Sequence, residues 1–257
     1  MRATSDVTTQ GKTTVNGYNG RGVHGHTVTE LGMWIVSGAL PQGQPIDLQA
    51  LGEDLDLSMT ALREALKVLA AKGLLEARQR RGTLVLPRER WNLLDADVIR
   101  WRNEAGETLE VLRDLAEVRA AIEPEAASLA ALRRTEAELT ELDAALDAMR
   151  EAVGREAPEA VAADLRFHRT LLRATHNEMF ARMDVFIEPA LRLRDGLVHQ
   201  HGRHEDPVPS HARVVDAVRA GDAEAAANAA RALLAKATED AERLLEASGE
   251  KRVVDRG

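Results

Sequence analysis

A carboxylate and an imidazole stand four residues apart in the segment Asp164-Leu165-Arg166-Phe167-His168. If this segment is helical, the two side chains share one face and lie close enough to bind one metal ion. His211 opens a later predicted helix and is a candidate third ligand from across a helical bundle. The same spacing is typical of a surface ion pair or a buried structural pair, so the residues alone leave these alternatives open.

Two arginines in the same half of the chain are candidates for binding a carboxylate ligand. Arg119 lies between Glu117 and Glu123, and Arg166 lies inside the segment just described. A guanidinium that faces a cavity in a helical bundle can donate to both oxygens of a carboxylate. An intrahelical salt bridge explains the same residues equally well.

A different kind of chemistry is indicated by the residues that follow Ser58. The Ser58 hydroxyl is suited to cap the free backbone amides of a new helix. At helical spacing, one face of this helix is apolar, with Leu62, Leu66 and Leu69. The opposite face is polar and carries Thr60, Arg63 and Lys67. The pattern predicts a helix that packs on one side and can enter a DNA groove with the other.

A basic turn follows this helix. Gly73 predicts the end of the helix, and two short strands are predicted at 74–77 and 83–86. The turn and its edges carry Arg78, Arg80, Arg81, Gly82 and Thr83. We interpret the hairpin as the wing of a winged helix, placed to contact phosphates.

The distribution of charge supports this interpretation, although the total charge does not. The chain has 34 Lys and Arg against 42 Asp and Glu, and its formal net charge is -8. Between Ser58 and Arg90, however, eight basic residues face three acidic ones, a local balance of +5. A basic segment in an acidic chain fits a DNA-reading domain joined to a partner domain, because phosphate neutralisation supplies most nonspecific DNA affinity.

Composition and breakpoints predict a mostly α-helical protein of two domains. Aromatic residues make up only 3% of the 257 residues and no cysteine is present, which excludes disulfides and thiolate metal sites. We expect a disordered leader at 1–25, a winged helix at 26–87, a linker with a short helix at 88–107, an all-helical bundle at 108–246 and a mobile tail at 247–257.

The sequence also predicts where the protein works. It has no apolar run long enough to span a bilayer, and its N-terminus lacks the apolar core of a signal peptide. We therefore expect a soluble, cytoplasmic protein without a membrane partner.

In their order and separation, these segments resemble the GntR family of transcriptional regulators, in its FadR-like branch with an FCD effector domain. The resemblance runs from about Val23 to Leu245. The segments that carry it are Ile35 to Leu40, Arg63 to Leu66, Lys72 to Leu74, Arg81 to Thr83, Glu117 to Arg119 with Glu123, Asp164 to His168, and His211 with Ala220 to Asp222. Two further segments, Trp91 to Trp101 and Ala174 to Asn177, are similar to the members that regulate galactonate and related sugar-acid catabolism.

The resemblance implies a homodimer on a palindromic operator, controlled by a small-molecule effector. It implies effector contacts at Arg119, Arg166 and Asn177. It also implies a divalent metal, such as zinc, nickel or manganese, on Asp164, His168 and His211. The family's fourth ligand position falls on Leu233, which cannot ligate. Either three protein ligands suffice, with water or effector oxygens completing the shell, or the site holds no metal.

We therefore expect a repressor, not an enzyme, that is released by a small carboxylate, in particular an aldonate. Its DNA contacts are expected at Ser58, Thr60, Arg63, Lys67, Arg78, Arg80, Arg81, Gly82 and Thr83. One alternative is a metal-dependent hydrolase in which Asp164, His168 and His211 activate water. Another is a dimeric DNA-binding protein whose helical domain senses no effector.

Overall fold

Three short helices and a hairpin form the N-terminal part of the computed structural model, which describes residues 23–153, 157–201 and 206–247. The helices are α1 (Val23–Val36), α2 (Leu48–Asp54) and α3 (Met59–Ala71). Ser58 caps α3 as predicted, because its Oγ accepts a hydrogen bond from the Ala61 amide at 3.2 Å. Most of the predicted leader, 1–25, lies outside the described residues.

The hairpin joins β1 (Leu75–Arg78) to β2 (Gly82–Val85). The strands are antiparallel, with Leu75 opposite Val85 and Arg78 opposite Gly82. The predicted strands are confirmed with shifts of one residue at their ends. Apolar residues of α1, α3 and the hairpin enclose one core, so the arrangement is the expected winged helix.

The segment predicted as a linker is packed against this core. After a single 3₁₀ turn at Arg88–Arg90, helix α4 spans Ala96–Glu104. Trp91, Val98 and Trp101 are buried among the winged-helix residues, and the Trp91 indole donates to the Leu86 carbonyl at 2.9 Å. The sequence predicts the short helix but not this packing, because local periodicity does not record which distant segment an apolar face contacts.

The charge count placed Lys72 among the basic residues of a DNA-reading segment, but the structure buries it. Its ammonium group is buried between the carboxylates of Asp95 and Asp97, at 2.9 and 2.8 Å. Burial alone would lower the pKa of Lys72, but the two carboxylates raise it above its ordinary value. Lys72 thus ties the end of α3 to the start of α4 and does not contribute to a DNA-facing surface.

The remaining helices form the bundle that the sequence predicts at 108–246. They are α5 (Thr108–Arg133), α6 (Glu136–Ala152), α7 (Ala157–Arg173), α8 (Glu178–Ala181), α9 (Asp184–His201), α10 (Val208–Ala220) and α11 (Ala223–Ala247). Sequence breaks at Asn177 and Gly202 predict a single helix at 178–199, but the structure has two, α8 and α9. The Met183 amide donates to the Phe180 carbonyl, a tighter bond than an α-helical one, and the chain turns there.

Two apolar cores hold the bundle together. One lies among α5, α6, α7, α10 and α11 around Phe167, and the other lies among α5, α7 and α9 around Phe186. Helix α4 contacts both α5 and α9 as well as α1, so it connects the bundle to the winged helix. Within the described ranges, no helix is both long and apolar enough to cross a membrane.

The contact between α1 and α4 gives a test of this packing. A Cβ atom at Gly32 would lie 2.6 Å from the Trp101 ring, whereas one at Gly52 in α2 would make ordinary contacts of 3.5 Å or more. We expect Gly32→Ala to lower the free energy of unfolding by about 1 to 3 kcal/mol, because the ring has no room to move.

The matched control is Gly52→Ala. It should be neutral or raise the free energy of unfolding by up to about 1 kcal/mol, because alanine favours the helix. Urea unfolding followed by circular dichroism measures both variants. Equal stability of Gly32→Ala and the unmodified protein would contradict the packing of α4 on α1.

Candidate functional site

The polar face of α3 is the first candidate site, and it is open to solvent. Thr60, Arg63 and Lys67 are exposed, while Leu62 and Leu69 on the other face are fully buried. Lys67 contacts Glu64 on the same helix at 2.7 Å, and both side chains are largely exposed. Such a surface pair is weak, so Lys67 is available to exchange it for a phosphate.

The hairpin turn presents more positive charge. Arg78, Arg80, Arg81 and Gly82 are exposed, and Thr83 is half-buried. Arg80 and Gly82 both have positive φ, 65° and 77°, which turns the chain tightly enough to point the arginines outward. Arg78 also contacts Glu76 at 2.7 Å. The structure thus brings the predicted DNA-binding residues to two solvent-exposed surfaces of one small domain.

The second candidate site lies inside the helical bundle. Asp164 and His168 project from α7 and His211 projects from α10, and all three are buried. The His211 Nε2 atom is 3.0 Å from Asp164 Oδ1, and the His168 Nε2 atom is 3.3 Å from the same oxygen. The sequence-predicted trio is therefore assembled in space, with one donor atom from each residue within 4.8 Å of the others.

Each imidazole is oriented by a second contact. The His211 Nδ1 atom is 2.8 Å from the Pro207 carbonyl, which can only accept, so Nδ1 carries a proton. The His168 Nδ1 atom is 2.7 Å from Glu123 Oε2. In both residues Nε2 is then the atom left to face Asp164. A carboxylate or carbonyl behind an imidazole is the usual support of a metal-binding histidine.

These donors fit a divalent metal with three protein ligands. Two ligands about 2.1 Å from one tetrahedral ion stand about 3.4 Å apart, close to both distances from Asp164. Leu233, at the fourth family position, is buried in the apolar core and supplies no donor. The Arg119 Nη2 atom lies 3.1 Å from His168 Nε2, so this guanidinium and a bound ion would compete for that nitrogen.

Two arginines separate the trio from a cavity. Arg119, on α5, donates to Glu123 as well as contacting His168, and Arg194, on α9, donates to Asp164 Oδ2 at 3.1 Å. Both also line a cavity of about 350 Å³ between α5, α9 and α11. Arg194 was missed by the sequence analysis. No local sequence signal marks Arg194, because its partner Asp164 lies 30 positions earlier in the chain.

Two predicted effector residues lie elsewhere. Arg166 is exposed, because a residue two positions from Asp164 points away from it on a helix. Asn177 is exposed as well, and its Oδ1 atom caps α8 by accepting from the Met179 amide at 2.9 Å. The structure therefore brings Arg119 to the trio and the cavity wall, but neither Arg166 nor Asn177.

Opposite charges keep the buried acids ionised. Burial alone would raise the pKa of Asp164, but hydrogen bonds with His168 and His211 lower it well below its usual range. Burial would also raise the pKa of Glu123, yet Arg119 and His168 lower it to about 2. The site is thus a buried set of alternating charges next to a cavity, able to hold a cation at one end and an anion at the other.

Comparisons with known proteins agree with this two-part structure. Residues 25–85 match the family model of bacterial regulatory proteins of the gntR family, and residues 114–236 match the FCD domain. The galactonate operon transcriptional repressor of Escherichia coli is 31% identical over 82% of this chain and 93% of its own length. The regulator LutR of Bacillus subtilis is 32% identical over 79% and 93%.

A solved structure shows the same fold. It is that of Lar, described as controlling the expression of the Listeria monocytogenes agr system, and it is 17% identical to this chain with a TM-score of 0.59. The match covers 87% of this chain and 98% of that one. The winged helix, the helical bundle and the two domain matches together place the chain in the GntR family of DNA-binding transcriptional regulators, with a C-terminal FCD domain.

Proposed function

We propose that this regulator is a repressor that leaves its operator when a small carboxylate binds in the helical domain. The observation that carries the proposal is the pair of guanidinium groups, Arg119 and Arg194, at the wall of the bundle cavity. Arginine suits carboxylate recognition because its planar donors match both oxygens. Two relatives support the regulatory role by their names, galactonate operon transcriptional repressor and probable D-xylose utilization operon transcriptional repressor.

We further propose that the protein binds DNA as a homodimer, on a palindromic operator whose half-sites mirror the two-fold symmetry. Each α3 helix enters a major groove, where Arg63 reads a base edge and Thr60 and Lys67 support it. The wing arginines, Arg80 and Arg81, contact phosphates. The remaining predicted contacts lie at the start of α3 and at the turn of the hairpin. They are Ser58, Arg78, Gly82 and Thr83.

A divalent metal on Asp164, His168 and His211 is also part of the proposal, with zinc, nickel or manganese as the occupant. Such an ion supplies a fixed positive charge close to the guanidinium groups, where an acid would bind. Hydrolytic use of the site is disfavoured. Both oxygens of Asp164 and both oxygens of Glu123 already contact cationic or imidazole groups, so neither acid is poised as a general base.

The role of Arg63 is tested by selecting an operator from random duplex DNA with the unmodified protein. Arg63→Ala should weaken binding to that operator by about 1 to 3 kcal/mol and relax the preference at the base that it reads. Arg150→Ala is the matched control, because Arg150 is also exposed but lies on α6 in the bundle. Operator binding by Arg63→Ala that equals that of the control would refute the assignment.

The response to acids is tested on the same operator by fluorescence anisotropy with galactonate, gluconate, lactate, pyruvate and hexanoate. At least one acid should lower operator affinity by about 5- to 150-fold, the usual range of such coupling. Arg194→Gln should lose most of this response, because it removes a cation from the cavity wall. Arg192→Gln should keep it, since Arg192 is exposed on the same helix and does not line the cavity.

Metal binding is tested by measuring the metal content and melting temperature after dialysis against zinc, nickel or manganese. One ion should bind per chain, and free metal at about 100 times its Kd should stabilise the fold by about 2.7 kcal/mol. Asp164→Asn, nearly isosteric, should lower the metal affinity by at least about tenfold. His176→Ala should not, since His176 is exposed beside Glu138. Equal metal content in all three proteins would show that the ion binds elsewhere.

A further inference from the structure

The lining of the bundle cavity indicates what kind of acid it accepts, an inference that rests on the proposed effector role. The cavity lies between α5, α9 and α11 and has a volume of about 350 Å³, within the ordinary range for small-molecule sites. Its walls divide into an apolar part, a cationic part and a charged mouth.

Apolar side chains form the larger part of the wall. Leu112 comes from α5, Ala190 from α9 and Leu234 from α11, and all three are buried. Further small residues continue this surface: Ala116, Ala120, Ala237 and Ala241. Alanine and leucine side chains carry no hydrogen-bonding groups, so a ligand part that lies here gains from being apolar.

Polar groups of the inner wall are few. Arg119 and Arg194 stand at the side that adjoins Asp164 and His168. The Thr238 hydroxyl donates to the Leu234 carbonyl of its own helix at 3.1 Å, so its proton is committed. A carboxylate therefore has partners at the arginine side, whereas groups further along meet mainly methyl groups.

The other charged lining residues belong to the mouth. Arg113, Glu117 and Glu242 are exposed, and they are therefore solvated in the absence of a ligand. A chain of hydroxyl groups that lies along Leu112, Ala190 and Leu234 meets apolar, buried side chains there. A buried hydroxyl without a partner loses its hydrogen bonds to water and gains nothing in return.

We propose that the effector is a monocarboxylate with an apolar body. The carboxylate lies at Arg119 and Arg194, and the aliphatic part lies along Leu112, Ala190 and Leu234. A polyhydroxylated acid of equal length fits poorly, because its hydroxyl groups would be stripped of water against alanine and leucine. This departs from the aldonate expected from the sequence, which rested on resemblance and not on the cavity lining.

The proposal is tested by isothermal titration of the full chain with acids of six carbons, hexanoate and galactonate. We expect hexanoate to bind at least about tenfold more tightly. Lengthening the acid from pentanoate to hexanoate should tighten binding by about two- to fourfold, because one more methylene is buried. Hexan-1-ol, which lacks the carboxylate, should bind far more weakly than hexanoate.

A pair of variants on one helix tests the location. Ala237→Leu fills part of the cavity and should weaken hexanoate binding at least tenfold. Ala235→Leu adds the same side chain to α11 at an exposed position that does not line the cavity. The control should bind hexanoate as the unmodified protein does. Equal hexanoate binding by both variants would show that the acid does not lie in this cavity. The acid series on the unmodified protein remains a separate test of the ligand class.

The outcomes separate this inference from the proposed function. If galactonate binds as tightly as hexanoate or more tightly and releases the operator, the apolar class is wrong while control by a carboxylate stands. If hexan-1-ol binds as tightly as hexanoate, the role of the two arginines is wrong. If no acid binds or alters operator affinity, the inference and the proposed effector control fail together.

Discussion

The helical domain depends on the contacts that surround the buried carboxylate of Asp164. One oxygen contacts His168 and His211, and the other accepts from Arg194, so a single side chain joins α7, α10 and α9. A charge in this position is costly unless partners surround it, and removing one partner leaves the others uncompensated. The requirement explains why cationic and anionic side chains alternate from Glu123 through to Arg194.

This arrangement places the proposed effector cavity where it can influence the DNA-reading domain. The cavity beside the charges is lined by α5 and α9, and both helices contact α4. Helix α4 is in turn fixed to the winged helix by Trp101 against α1 and by the ion pairs of Lys72 at the end of α3. A ligand that shifts α5 or α9 would therefore act on a helix that packs against α1 and is ion-paired with the end of α3, which gives the two sites a continuous physical connection.

Local patterns predicted much of this architecture. The cap at Ser58, the apolar face through Leu62 and the i, i+4 spacing of Asp164 and His168 each depend on neighbours in sequence, and each is confirmed in the structure. Long-range partners were not predictable in the same way. The contacts of Arg194 with Asp164 and of Lys72 with Asp95 join residues 30 and 23 positions apart, and no periodicity records such pairings. Arg166, by contrast, lies on the exposed face of α7, because a motif fixes a spacing but does not say which of its members faces inward.

We propose that ligand binding among α5, α9 and α11 is transmitted to the winged helix. Hydrogen–deuterium exchange of the full chain, with and without the acid that releases the selected operator most strongly, measures this directly. We expect changed protection in two places at once, the cavity helices and the segment from α3 to α4 around Lys72 and Trp101. Changed protection confined to the cavity helices, with the winged helix and α4 unaffected, would contradict it.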